Sequence, residues 1–253
     1  MTGARLLPVV ALLVLAFAAL LWRGAGAAQS LEADLSSHLI AITTGFTGSE
    51  VVLFGAVDGP GEVAVVVVGP KTRATVRRKE RVGGVWMNRR SAGFEQVPVF
   101  YALATSRPLA ALVGESVLVR NEIGLDRLPL NPVGFSGPPA EAASFREALI
   151  RGKLDAGLYS ESDGQVRFLG KRLFRTTIFF PANVATGIYT VSVFLFRDRD
   201  VASASTTPLV ISKTGLSAEI SEFATERPAL YGLTAVLGAF LIGWAAGSLF
   251  RKL

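Results

Sequence analysis

Three patterns predict a mainly β protein: an immunoglobulin-like β-sandwich with a helical insertion, between an N-terminal signal helix and a C-terminal transmembrane helix. Short segments rich in Val, Ile, Phe and Thr alternate with Gly- and Pro-containing turns at intervals of about 8–12 residues, the spacing of sandwiches and barrels. Ala229 to Phe250 carries no Asp, Glu, Lys or Arg. Near the start, Arg5 precedes an apolar run from Leu6 to Leu21, which gives way to the small residues of "WRGAGAAQS".

The strands follow in order. "HLIAITTGF" and "SEVVLFGAV" are β-rich and separated by the glycine-containing "FTGSE". "DGPGE" punctuates before "VAVVVVG". "TRATVRRKERV", the pair "GG" and "VWMN" read as strand, turn and strand, and "VPVFYALATS" as a further strand. "LPLNPVGFSGPPAEAA" is a Pro- and Gly-rich loop. It leads into a helix near 140–157, where Phe145, Leu149, Ile150 and Leu154 recur at helical spacing and Gly157 stands at the C-terminal end. "YSESDGQVRFLG" reads as a hairpin and "KRLFRTTIFFP" as a strand. In "ANVATGIYTVSVFLFRDRDVASASTTPLVIS", Tyr189, Val191, Val193 and Leu195 fall on one face because strand side chains alternate. The Gly187–x–Tyr189 entry matches the tyrosine corner of Greek-key sandwiches.

The ends set the address. A helix over residues 229–250 is about 33 Å long, enough to cross the hydrocarbon of a bilayer. Tyr231 and Trp244 suit its interfaces, and Arg251 and Lys252 place the C-terminus in the cytoplasm. The N-terminal run has the basic, apolar and small-residue regions of a secretory signal, with cleavage after Ala27 or Ala28; an uncleaved signal anchor is the alternative. The predicted organisation is a signal peptide over 1–28, a periplasmic β-sandwich over 29–215 and a juxtamembrane segment over 216–228. A transmembrane helix over 229–250 and a cytoplasmic tail over 251–253 complete it.

The pI near 10.0 invites a nucleic-acid reading. Residues 1–28 and 229–253 hold four cations and no acid, which leaves 22 Lys+Arg against 20 Asp+Glu for the body. A body this balanced is a poor nucleic-acid binder, and no nucleic-acid partner is expected.

Catalytic chemistry is scarce. There is no cysteine and one histidine, His38, which stands at a strand start with no nucleophile elbow in the chain. Zinc sites need several His or Cys ligands. Glu161 with Asp163, and Asp198 with Asp200, lack the carboxylate density of a calcium loop and sit where turns are expected. No phosphate loop or dinucleotide fingerprint occurs. The expectation is a non-enzyme with no metal and no cofactor.

The unusual soluble feature is basic. Lys71 to Arg90 holds eight cations and one acid, Glu80. Arg73, Arg77, Lys79 and Arg81 share parity and line one face of a strand, as a binding surface for an anionic ligand, an acidic partner or lipid headgroups, or as a solvated face. In the C-terminal run Ala235, Ala239, Gly243 and Gly247 recur every four residues and form a stripe of small residues, including a GxxxG motif, suited to close helix packing.

The segments "LEADLSSHLIAITTGFTGSEVVLFGAV", "RRKERVGGVWMN", "FREALIRGKLDAGLYSE" and "FPANVATGIYTVSVFLFRD" resemble an alphaproteobacterial family of transmembrane proteins of unknown function. The likeness spans the exported body and the C-terminal helix. It implies a single-pass bacterial inner-membrane protein with its bulk in the periplasm, and it associates the chain with permeases of the sulfite-exporter kind. It supplies no activity and no catalytic residue. The expected role is a membrane-anchored accessory domain of an inner-membrane complex, with a polytopic protein or a second copy packed on the helix. The alternative is a periplasmic receptor that binds a small anion through the basic strand.

Overall fold

The computed structural model describes residues 31–162, 165–215 and 223–250, the side chains at 82, 245, 246 and 248–250 excepted. The signal segment, Asp163, residues 216–222 and the tail 251–253 therefore lie outside the described residues.

In chain order the strands are β1 (Leu31–Leu35), β2 (Leu39–Ile42), β3 (Gly48–Val57), β4 (Glu62–Val68), β5 (Lys71–Val82), β6 (Val85–Pro98) and β7 (Tyr101–Thr105). They continue with β8 (Pro132–Val133), β9 (Tyr159–Ser162), β10 (Arg167–Leu169), β11 (Leu173–Pro181), β12 (Gly187–Arg197) and β13 (Asp200–Lys213). The helices are α1 (Leu109–Leu112), α2 (Glu115–Arg120), α3 (Pro139–Asp155) and α4 (Pro228–Phe250), with a 3-10 turn at Leu125–Arg127.

Two sheets face each other. One has the order β1-β3-β11-β10, the other β2-β13-β12-β4-β7-β9. Their facing side chains form one core, in which Leu53, Val57 and Phe174 from the first sheet meet Val65, Val191 and Leu195 from the second. Alternation places them there. Tyr189, Val191, Val193 and Leu195 are all buried, as the strand period requires, while Ile188 between them points outward. At one end Phe100 stacks on Phe180 with centroids 4.9 Å apart, and Tyr189 meets both edge-on at 5.9 Å. The Tyr189 hydroxyl donates to the Ala185 carbonyl at 2.6 Å, the bond a tyrosine corner requires, and burial pushes its phenol up to about 12. Gly187 enters the strand at φ +146°, where a Cβ would sit 2.5 Å from Pro70 Cγ, so the entry is closed to larger residues.

The second face of the six-stranded sheet is also covered. Ala64 and Val66 of β4, and Tyr101 and Leu103 of β7, pack against Leu118, Leu130, Phe145 and Phe94 in a second core. This explains "VAVVVV" and "YALA": strands buried on both faces read as continuous apolar runs rather than alternating ones. Tyr101 ties the covering layer down, since its hydroxyl accepts from the Gly124 amide at 2.8 Å and donates to the Glu122 carbonyl at 3.2 Å.

Some sequence expectations require revision. "YSESDGQVRFLG" is not a hairpin: β9 pairs in parallel with β7 in one sheet and β10 pairs with β11 in the other. The Ser-Asp-Gly signal marks a crossing between sheets. "VPVFYALATS" is two strands, because the chain breaks direction at Val99–Phe100 to bury Phe100 between the sheets. Leu31–Leu35, an edge strand, and the short helices over 109–120 carry too few residues for periodicity to reveal them.

The predicted inserted helix is α3. Its face Glu141, Phe145 and Leu149 is buried, Leu154 is exposed, and Gly157 takes φ +67° just beyond the C-cap. The C-terminal helix α4 spans 23 residues without an acidic first turn or a basic last turn. Among the described residues no helix is long and apolar enough to cross a membrane; the side chains at 245, 246 and 248–250 fall outside that statement.

Candidate interaction surface

The basic segment forms a long two-stranded arm, β5 against β6, with β8 added at its base. Its turn is Gly83–Gly84, with φ +55° and +87° between the partners Val82 and Val85. Positive φ at both central residues gives the twist of a tight hairpin, which is why glycine stands at each. Two register shifts interrupt the ladder, one where Gln96 adopts φ +57° and one at Arg89. Each adds a residue on β6 and bends the arm.

The base of the arm is fixed by packing and charge. Ala92 and Phe94 are buried in the second core, opposite Val76 and Ala74. Above them Arg78 and Arg90 stand opposite each other and share one carboxylate. Glu141, in the first turn of α3 and only 7% exposed, accepts from Arg90 at 2.6 Å and from Arg78 at 3.2 Å. Arg78 also lies over the Phe145 ring, 4.9 Å from its centroid. The hydrogen bond and charge of Glu141 hold the Arg90 guanidinium above its ordinary range. The carboxylate sits at a helix N-terminus, where negative charge is favoured. The cleft of about 490 Å³ beside Arg90, Ser136 and Pro138 thus already contains its own anion.

The four predicted residues separate. Arg77, Lys79 and Arg81 are exposed on one face of β5, as parity requires. Arg73 shares that parity but pairs with Glu95 of β6 at 3.3 Å. The sequence reading missed Arg78 and Glu141 as a joint, since nothing local connects residues 63 positions apart. It also missed the arm's tip, where Val85, Trp86 and Met87 are exposed.

The remaining candidates are simpler. His38 pairs with Asp34 at 2.9 Å on the surface. Glu161 accepts from the Leu125 amide at 2.7 Å and so holds the 3-10 turn. Asp198 occupies the turn between β12 and β13 at φ +50°. Among the described residues no cluster of three or more His, Cys, Asp or Glu could hold a metal ion. On the outer face of the four-stranded sheet, Phe54, Leu169 and Leu173 line an apolar groove of about 530 Å³ edged by Glu32, Asp34 and Arg175.

Along α4, Ala235, Ala239, Gly243 and Gly247 are exposed and separated by four, with no atom from elsewhere within 4 Å of a Cβ built at Gly243 or Gly247. Val236, Leu237, Phe240, Leu241, Ile242 and Trp244 are exposed as well, so the apolar surface goes around the helix.

No curated protein and no solved structure matches the chain. One family model does, over residues 30–252, under the description "Putative transmembrane protein (Alph_Pro_TM)". That match covers both cores, the arm and α4. The chain belongs to this alphaproteobacterial transmembrane-protein family, whose function is unknown.

Proposed function

We propose that the chain is a membrane-anchored, exported accessory domain without catalytic activity, held by α4 and packed through it against another membrane helix. The observation that carries this reading is the helix itself. Pro228–Phe250 contains no charged residue, and its large apolar side chains from Leu230 to Trp244 are exposed while the side left by them carries only Ala and Gly. A helix that is apolar all round is covered by a protein core or by lipid. The family match to transmembrane proteins supports lipid. The export signal and the flanking Arg251 and Lys252 support a periplasmic bulk with a cytoplasmic C-terminus in the inner membrane.

The domain is read as immunoglobulin-like on its connectivity. The order β1-β3-β11-β10 is that of strands A-B-E-D, and β13-β12-β4-β7 that of G-F-C-C′, with the arm inserted between C and C′. This architecture hosts many unrelated functions, so the fold alone assigns none. The small-residue stripe supports a helix partner, either a polytopic protein such as a permease or a second copy of α4, because small side chains admit close backbone approach.

Gly243→Ile with Gly247→Ile tests the partner. The double variant should insert normally, since isoleucine is more apolar, and should lose the membrane protein that co-purifies with the wild-type chain in mild detergent. Leu241→Ile should retain it. Unchanged co-purification and crosslinking in the double variant would reduce α4 to a tether.

A further inference from the structure

The arm has a face that the fold does not use. Of the eight cations between Lys71 and Arg90, five are engaged: Lys71 with Glu122, Arg73 with Glu95, Arg89 with Glu80, and Arg78 and Arg90 with Glu141. Among the described residues Arg77, Lys79 and Arg81 form no ion pair; Arg81 donates only to the Gly84 carbonyl at 3.3 Å. These three alternate along β5 and so share one face, extending over about 13 Å. The register places Trp86 opposite Arg81, Asn88 opposite Lys79 and Ser91 opposite Arg77, so the indole stands on that same face. The acid Glu80 is opposite Met87, on the other face. Trp86 is 67% exposed, and Val85 and Met87 beside it are 63% and 53% exposed.

An exposed indole in line with unpaired cations on one strand face is the composition that settles at a lipid–water interface, with the ring at headgroup depth and the cations on anionic phosphates.

We infer that the β5–β6 arm is a second membrane contact: the face of Arg77, Lys79, Arg81 and Trp86 lies on an anionic phospholipid surface, with the Trp86 indole at headgroup depth. This rests on the reading of α4 as the anchor. The arm makes the domain's orientation to the bilayer depend on lipid charge. Each cation contributes roughly a fivefold preference for the anionic surface, so the three together give about a hundredfold, reduced by salt.

The chain has three tryptophans, Trp22, Trp86 and Trp244, and two single-tryptophan forms of the full chain separate the two contacts. Both go into nanodiscs containing brominated acyl chains, either purely phosphatidylcholine or with phosphatidylglycerol. With Trp86 alone, emission should shift to the blue and be quenched by the brominated lipid in anionic discs, and this should fade in neutral discs and at high salt. R77Q/K79Q/R81Q should abolish the difference while leaving circular dichroism unchanged, because these side chains are exposed. If Trp86 remains open to iodide in both lipids, the proposal is overturned. Protection without quenching by brominated lipid also overturns it, in favour of a protein surface over the tip. With Trp244 alone, quenching reports the anchor. Quenched Trp244 with unquenched Trp86 removes only the arm contact, whereas unquenched Trp244 removes the anchor beneath it.

Discussion

Phe180→Ala will lower the unfolding free energy of the domain by about 3–5 kcal/mol, the range for truncating a buried phenylalanine. The ring is fully buried between Phe100, stacked at 4.9 Å, and Tyr189, edge-on at 5.9 Å. Removing it leaves a void between two sheets that cannot approach without disturbing the Tyr189 hydroxyl, bonded to Ala185. With a urea slope of a few kcal/mol per molar, the midpoint should fall by about 1–3 M, read by far-ultraviolet circular dichroism of the full chain in detergent. A shift below about 0.3 M would mean that this aromatic cluster is not what holds the two sheets together.

Glu141→Ala should have the second largest effect, and a local one. Its carboxylate joins the arm to α3 through Arg78 and Arg90. Those two guanidinium groups are 41% and 57% exposed, so water recovers much of what they lose. The expected cost is about 1–3 kcal/mol, short of the penalty for stranding fully buried charges. Hydrogen exchange gives the sharper readout. Amides of residues 74–81 and 86–92 should lose protection by about tenfold to a hundredfold while those of β4 and β12 hold, because loosening the joint frees the arm without opening the sandwich. Equal protection in wild type and variant would assign the arm's order to Phe94 and Ala92 alone. Glu141→Gln should fall between, since an amide oxygen still accepts but carries no charge.

What was legible in the sequence follows from which forces act locally. Alternation along Tyr189–Leu195 required only the strand period, and the structure buries those four side chains. The tyrosine corner was legible because its donor and acceptor are four residues apart. The helix over 139–155 followed from its apolar spacing and the glycine after it. Pairing was not legible. Nothing in "YSESDGQVRFLG" reveals that its two halves join different sheets, since a turn signal fixes a reversal and not a partner. The basic strand shows the same division. Parity placed Arg77, Lys79 and Arg81 on one exposed face, but Glu95 takes Arg73 and Glu141 takes Arg78 and Arg90 through tertiary contacts. The Gly83–Gly84 turn was legible, but the exposure of Val85, Trp86 and Met87 was not, because it depends on the arm's reaching beyond the cores.

The proposed topology is an exported domain carried by a helix that crosses the bilayer. The absence of any native cysteine permits a direct measurement of that topology. Single cysteines are introduced at Thr206, exposed in the middle of β13, and after Leu253, and each is treated in spheroplasts with a maleimide that cannot cross the inner membrane. The Thr206→Cys protein should be labelled at once and the C-terminal cysteine only after permeabilisation, with both proteins resisting extraction by alkaline carbonate. Labelling of the C-terminal cysteine in intact spheroplasts, or release of the chain by carbonate, would contradict that topology.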